Sequence, residues 1–253
     1  MIFEISMKII PVMDLLDRFV VHGIAGKRKE YRPIENSVIT NSAVPLEVAE
    51  DFKNKLELDS FYIADLNLIQ KTENMNVNRE EILKLVITKN YKLMIDGGCS
   101  ALNDVTNILD LGINQAIIGT ETLASISDLE TIADNFDSQN IILSIDLMDG
   151  KLLSNNNDLK KYSLVDLVEI VDSFSLYAMI ILDLQKVGSQ SGPMNKSLET
   201  VIKKSPTTNI ITGGGVRNIE DLITLKENHI SGALIATAFH KGNITKKDLE
   251  MLD

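Results

Sequence analysis

The chain has 253 residues, 44% of them hydrophobic, and 25 Lys and Arg stand against 36 Asp and Glu for a formal charge of −11. That is enough apolar material for a sizeable core, in two small domains or one large α/β unit, and the acidic balance argues against nucleic-acid or anionic-membrane partners. A single cysteine (Cys99) excludes an internal disulfide, the three histidines (His22, His229, His240) lack metal-ligand spacing, and no apolar run is long enough to span a bilayer. A soluble, cytoplasmic protein with no metal and no membrane association is expected.

A short leader, MIFEIS, reads as an extra strand or an upstream start before Met7. The first apolar run, KIIPVM (8–13), ends against Asp14 and is followed by the basic stretch HGIAGKRKEYRPIENS. In that stretch Lys27, Arg28, Tyr31 and Arg32 are expected to close over an anionic substrate as a lid, with a solvated surface loop as the alternative. Next come a helical-period segment (45–56), the run FYIAD (61–65), a second helical segment (78–89), and the runs KLMID (92–96), QAIIG (115–119), IILSID (141–146), MIILD (179–183) and NIIT (209–212). A third helical segment (218–228) and the run GALIA (232–236) complete the pattern. The eight runs are nearly continuous in apolar residues rather than alternating, as in parallel strands covered on both faces. Asn and Ser at the starts of several helical segments are expected N-caps. Strand followed by helix, eight times, predicts a TIM (β/α)8 barrel, with an open doubly wound sheet as the alternative.

An internal repeat favours the barrel. DGGCSALNDV (96–105) matches TGGGVRNIED (212–221), with Gly97 and Gly213 116 residues apart; Thr120 and Thr237 are 117 apart, Asp65 and Asp183 118, and Asp14 and Asp146 132. The chain therefore reads as one barrel of two half-barrels, about 7–124 and 140–243, the first carrying about 14 extra residues after Asp14.

In such barrels the C-terminal strand ends form the active-site mouth. Asp14 and Asp146, on opposite strands, are expected to divide general acid and base work, against the alternative that each caps a turn. Asp65 and Asp183 are expected to orient loops or bind substrate hydroxyls. Gly213, Gly214, Gly215 and Thr237 are expected to form one phosphate seat, and Gly97, Gly98, Gly119 and Thr120 a second across the mouth, because a glycine turn feeding a helix presents backbone N–H groups to an anion. The substrate would then be a long phosphorylated small molecule with two anionic ends.

IIPVMDL, IADLN, LSIDLMDGKL and TGGGVRNIEDL, in that order, resemble the histidine-biosynthesis barrel family that includes phosphoribosylformimino-AICAR-phosphate isomerase and the cyclase subunit of imidazole glycerol phosphate synthase. The resemblance spans residues 8 to about 243. It implies an aldose–ketose isomerase that carries out an Amadori rearrangement with Asp14 as base and Asp146 as acid, and it implies no cofactor. The chain departs from the family pattern at Leu182, Val187, Ser100 and Ala236, and Arg18 is its nearest substitute for the cyclase's lysine. These departures leave two alternatives: a paralogue acting on another phosphorylated metabolite, for example in one-carbon carrier or methanopterin biosynthesis, or a non-catalytic metabolite-binding barrel subunit.

Overall fold

The computed structural model describes residues 7–23, 28–88, 90–186, 191–204 and 206–252, and of Arg28 the backbone alone. Its strands are β1 (Lys8–Leu16), β2 (Phe19–Val21), β3 (Ser60–Asp65), β4 (Lys92–Asp96), β5 (Gln115–Gly119), β6 (Ile141–Met148), β7 (Lys151–Leu152), β8 (Ala178–Asp183), β9 (Asn209–Gly213) and β10 (Gly232–Ile235). Eight of them pair in parallel in the order β1-β3-β4-β5-β6-β8-β9-β10, and β10 pairs back onto β1 to close the barrel. β2 and β7 are short antiparallel returns on β1 and β6. They explain why those two barrel strands run past their expected ends: the chain keeps its ladder into a hairpin, so Asp14 lies within β1 and Asp146 within β6.

The helices are α1 (Pro45–Leu56), α2 (Leu66–Ile69), α3 (Arg79–Ile87), α4 (Leu102–Leu109), α5 (Ile126–Asn135), α6 (Leu164–Ser173), α7 (Lys196–Lys204), α8 (Ile219–Glu227), α9 (Thr237–His240) and α10 (Lys246–Glu250). Ser125, Ser163 and Asn218 cap α5, α6 and α8 by accepting from the third backbone N–H of each helix. Asn78 precedes α3 but makes no side-chain cap, because its amide is drawn into a buried polar knot.

Two apolar layers hold the barrel. Between strands and helices, Phe52 of α1 packs edge-on against Phe61 of β3 and Phe239 of α9, with ring centroids 6.0 and 5.5 Å apart. Inside the barrel, Ile10, Tyr62, Met94, Ile117, Ile142, Ile180, Ile211 and Leu234 form the second layer. Among the described residues no helix is long and apolar enough to cross a membrane.

Candidate active site

Side chains alternate between the two faces of a strand, so the inner-layer residues fix which strand-end residues face inward. Counting from Ile10, Tyr62, Met94 and Ile142 in steps of two brings Val12 and Asp14 of β1, Ala64 of β3, Asp96 of β4, and Ser144 and Asp146 of β6 to the interior. Register agrees, since Ala64 is the partner of Asp14 on one side and of Asp96 on the other. Asp65 and Asp183 fall on the outward parity beside Ile63 and Ile181.

An open cavity of about 340 Å³ occupies the mouth, and Asp14, Asp96 and Asp146 all line it, together with Tyr62 and Glu121. Ser144 Oγ donates to Asp146 Oδ1 at 2.8 Å, and the Asp146 N–H donates to Thr120 Oγ1 at 3.0 Å, so both chain and carboxylate are fixed. A β-carbon on Gly119 would sit 3.1 Å from Asp146 Oδ2 and 3.9 Å from Asp96 Oδ2, which makes glycine the residue that leaves room for these two carboxylates. Buried Tyr62 donates to Asp96 Oδ2 at 3.5 Å. Its phenol is pushed well above the usual tyrosine range, first by burial and then by Asp96, Asp146 and Asp14, so it remains a donor at neutral pH.

Gly214, Gly215, Ala236 and Thr237 line the opposite wall. Gly214 and Gly215 have φ of +80° and +83°, and a β-carbon on Gly215 would meet the carbonyl oxygen of Gly192 at 2.9 Å. Gly213 is glycine for packing, since a β-carbon there would lie 2.6 Å from that of Leu234. His22 and His240 border the cavity as well. Burial, and then the neighbouring His22, pushes His240 down to about 4, and His22 is lowered by burial and then Lys241, so neither supplies a lasting positive charge at neutral pH.

The second glycine turn is placed differently from the expected phosphate seat. Gly97 and Gly98 do not border the cavity; β-carbons there would strike Ile108 Cδ1 at 2.7 Å and the Ile69 α-carbon at 2.9 Å, so close packing demands these glycines. The Gly98 N–H donates to Asp96 Oδ1 at 2.9 Å. Thr120 is fully buried on the outer face, donating to the Leu153 carbonyl while it orients Asp146.

Asp65 is also outside the cavity. It accepts from the Leu68 N–H at 3.2 Å and from Asn78 Nδ2 at 2.7 Å, bonds that tie it to the turn after β3. Asp183 accepts from the Gln185 N–H at 3.2 Å, again away from the cavity. Of the lid residues, Tyr31 is buried and borders the cavity, whereas Arg32 turns back to donate to the carbonyls of Lys29 and Tyr31. Lys27, the Arg28 side chain and Val187 lie outside the described residues. Arg18 points away from the site, with Nη2 2.8 Å from both Glu80 and Glu81. Leu182 and Ala236 line the cavity, whereas Ser100 donates to Asp104 at 2.8 Å.

Sequence reasoning missed Asp96, Tyr62, His22 and His240. For Asp96 a signal existed: KLMID ends on a carboxylate just as FYIAD, IILSID and MIILD do. Among the described residues no group of three His, Cys, Asp or Glu side chains is arranged to hold a metal ion.

Comparison with known proteins matches residues 8–245 to the family described as histidine biosynthesis protein. An uncharacterized protein of Methanocaldococcus jannaschii is 34% identical over 245 residues, covering 96% of this chain and 97% of that one. A 1-(5-phosphoribosyl)-5-((5-phosphoribosylamino)methylideneamino) imidazole-4-carboxamide isomerase of Methanothermococcus thermolithotrophicus is 26% identical over 244 residues, covering 96% and 98% of the two chains. The protein of the same name from Clostridium botulinum (strain Okra / Type B1) is 28% identical over 241 residues, 94% of each chain.

Proposed function

Because the chain belongs to the histidine biosynthesis protein family, we propose that it is an isomerase converting a phosphorylated ribosylamine, an aminoaldose, into the corresponding aminoketose by general acid–base catalysis. The observation that carries this reading is that Asp14 and Asp146, on facing strands β1 and β6, both turn into one cavity whose other wall is the turn of Gly214, Gly215 and Thr237. Asp146, oriented by Ser144 and Thr120, gives a proton to the ribose ring oxygen, and the bond from that oxygen to C1 breaks to leave a C1 iminium. Asp14 removes the C2 proton, the electron pair left behind forms the C1–C2 double bond as the iminium pair returns to nitrogen, and the resulting enaminol takes the proton back from Asp14 at C1 and gives its hydroxyl proton to Asp146 to become the ketone. No proton or electron is gained overall, as an isomerisation requires. The phosphate rests against the turn after β9 and Thr237, where Gly214, Gly215 and Thr237 line the cavity.

Two substrates test this: the bis(phosphoribosyl) compound in the isomerases' name, and the ribosylamine formed from ribose 5-phosphate and aniline. Turnover of either, reduced by about a thousandfold or more in Asp14→Asn and in Asp146→Asn, is the expected result, since general acid–base groups contribute about 10²–10⁴-fold each. A folded wild-type protein that turns over neither overturns the reading.

A further inference from the structure

The two glycine turns coincide structurally at an offset one residue different from that of their glycines. Asp96 pairs with Ile117 across β4 and β5, and Gly213 pairs with Leu234 across β9 and β10. Ile117 and Leu234 stand 117 residues apart, as do Asp96 and Gly213. The same offset superimposes the details that follow. Gly98 and Gly215 both have positive φ, at +68° and +83°. The Ser100 N–H donates to Asp104 Oδ2 at 2.8 Å, and the Arg217 N–H donates to Asp221 Oδ2 at 2.8 Å. Asp96 therefore stands where the other turn has Gly213.

This one difference changes what the turn can receive. A glycine turn seats an anion through N–H groups that no side chain covers. In the β4 turn the Gly98 N–H is already bonded to Asp96 Oδ1, so the turn carries its own carboxylate. The other oxygen, Asp96 Oδ2, takes the Tyr62 hydroxyl on the cavity side. Any phosphate brought there would meet a like charge in a half-buried setting and find that amide taken. β4 lies directly across the closed barrel from β9, so the Asp96 carboxylate faces the Gly214–Gly215 turn along the length of the cavity.

Resting on the acid–base reading above, we propose that Asp96 is a specificity-determining residue that restricts the site to substrates with a single phosphate, held at the β9–β10 wall, and a hydrogen-bond-donating group at the other end. A two-phosphate substrate of the kind in the isomerases' name then has one end without a seat. The aniline ribosylamine, with one phosphate and no second anion, meets the single-phosphate half of this requirement, although its phenyl end offers Asp96 no donor.

Phosphate binding tests this separately from turnover. Titration calorimetry with inorganic phosphate, ribose 5-phosphate and ribulose 1,5-bisphosphate is run on wild type and Asp96→Gly. Wild type is expected to bind one inorganic phosphate per chain and Asp96→Gly two. Affinity for the bisphosphate is expected to rise at least tenfold in the variant, while that for ribose 5-phosphate stays within about threefold. Asp96→Ala, which also removes the carboxylate, gives the same readout if the glycine variant does not fold. Two phosphates on wild type, or no second phosphate on either folded variant, overturns the proposal. If no protein binds phosphate at all, the phosphate wall itself is wrong and the proposal falls with it. One phosphate on wild type with no turnover of any ribosylamine leaves Asp96's role standing and sinks only the isomerisation chemistry.

Discussion

Replacing Asn78 with alanine tests the division between outward carboxylates that hold the fold and inward ones that face the cavity. Asn78 is fully buried; its Nδ2 donates to Asp65 Oδ1 at 2.7 Å and to Asn67 Oδ1 at 3.0 Å, and its Oδ1 accepts from the Arg18 N–H at 2.7 Å. A hydrogen bond to a charged group is worth about 1.5–3 kcal/mol and a neutral one about 0.5–1.5, so Asn78→Ala is expected to cost about 3–5 kcal/mol at pH 7. Burial raises the Asp65 carboxyl above its ordinary 3.8, and the Asn78 amide is the chief opposing influence. A raised carboxyl favours the folded state below its unfolded pKa, and that advantage is lost as pH rises through the folded value. Removing the amide raises the carboxyl further, so the loss caused by Asn78→Ala is expected to be larger at pH 7 than at pH 4. Urea denaturation of wild type and variant at both pH values measures it. A loss under 1 kcal/mol, or one independent of pH, refutes the reasoning. A variant of full stability with impaired turnover would return Asp65 to the substrate.

Gly215→Ala places a β-carbon 2.9 Å from the Gly192 carbonyl at φ +83°, so it is expected to lower stability by about 1–2 kcal/mol or more and weaken phosphate binding at least tenfold; calorimetric titration and thermal unfolding check both. His240, held down to about 4 by burial, favours folding fully above its unfolded value of 6.5 and loses that advantage as pH falls toward 4, a swing of about 3 kcal/mol. His240→Asn is expected to flatten the acid limb of stability over that window, as urea midpoints from pH 7 to 4 will read; an unchanged limb rejects the assignment.

All eight barrel strands were legible because long apolar runs and their spacing carry the signal directly. The facing of their last residues was not. A strand buried on both faces has no polar–apolar alternation to read, so loop orientation and substrate binding stayed open together for Asp65 and Asp183, and inner-layer packing was needed to turn them outward. Asn78 looked like a helix cap until its long-range partners at Asp65 and Asn67 claimed it. Asp96 was hidden by its own neighbours: pairing Gly97 with Gly213 placed the turns one residue out of step, and strand register was required to bring Asp96 opposite Gly213.

The two-layered wall of this barrel also bears on how such a protein diverges. Exchanging an outward residue, such as Asn78 or Thr120, disturbs contacts that secure helices and hairpins to the strands. An inward residue at the rim, such as Asp96, bonds to its own turn and to Tyr62 and lines the cavity. Mutational drift through the inner rim can therefore move between glycine and aspartate, and between one substrate and the next, with little penalty in folding. A saturation library at Asp96 should change ligand preference far more often than it abolishes soluble expression, and one at Asp65, Asn78 and Thr120 should do the reverse.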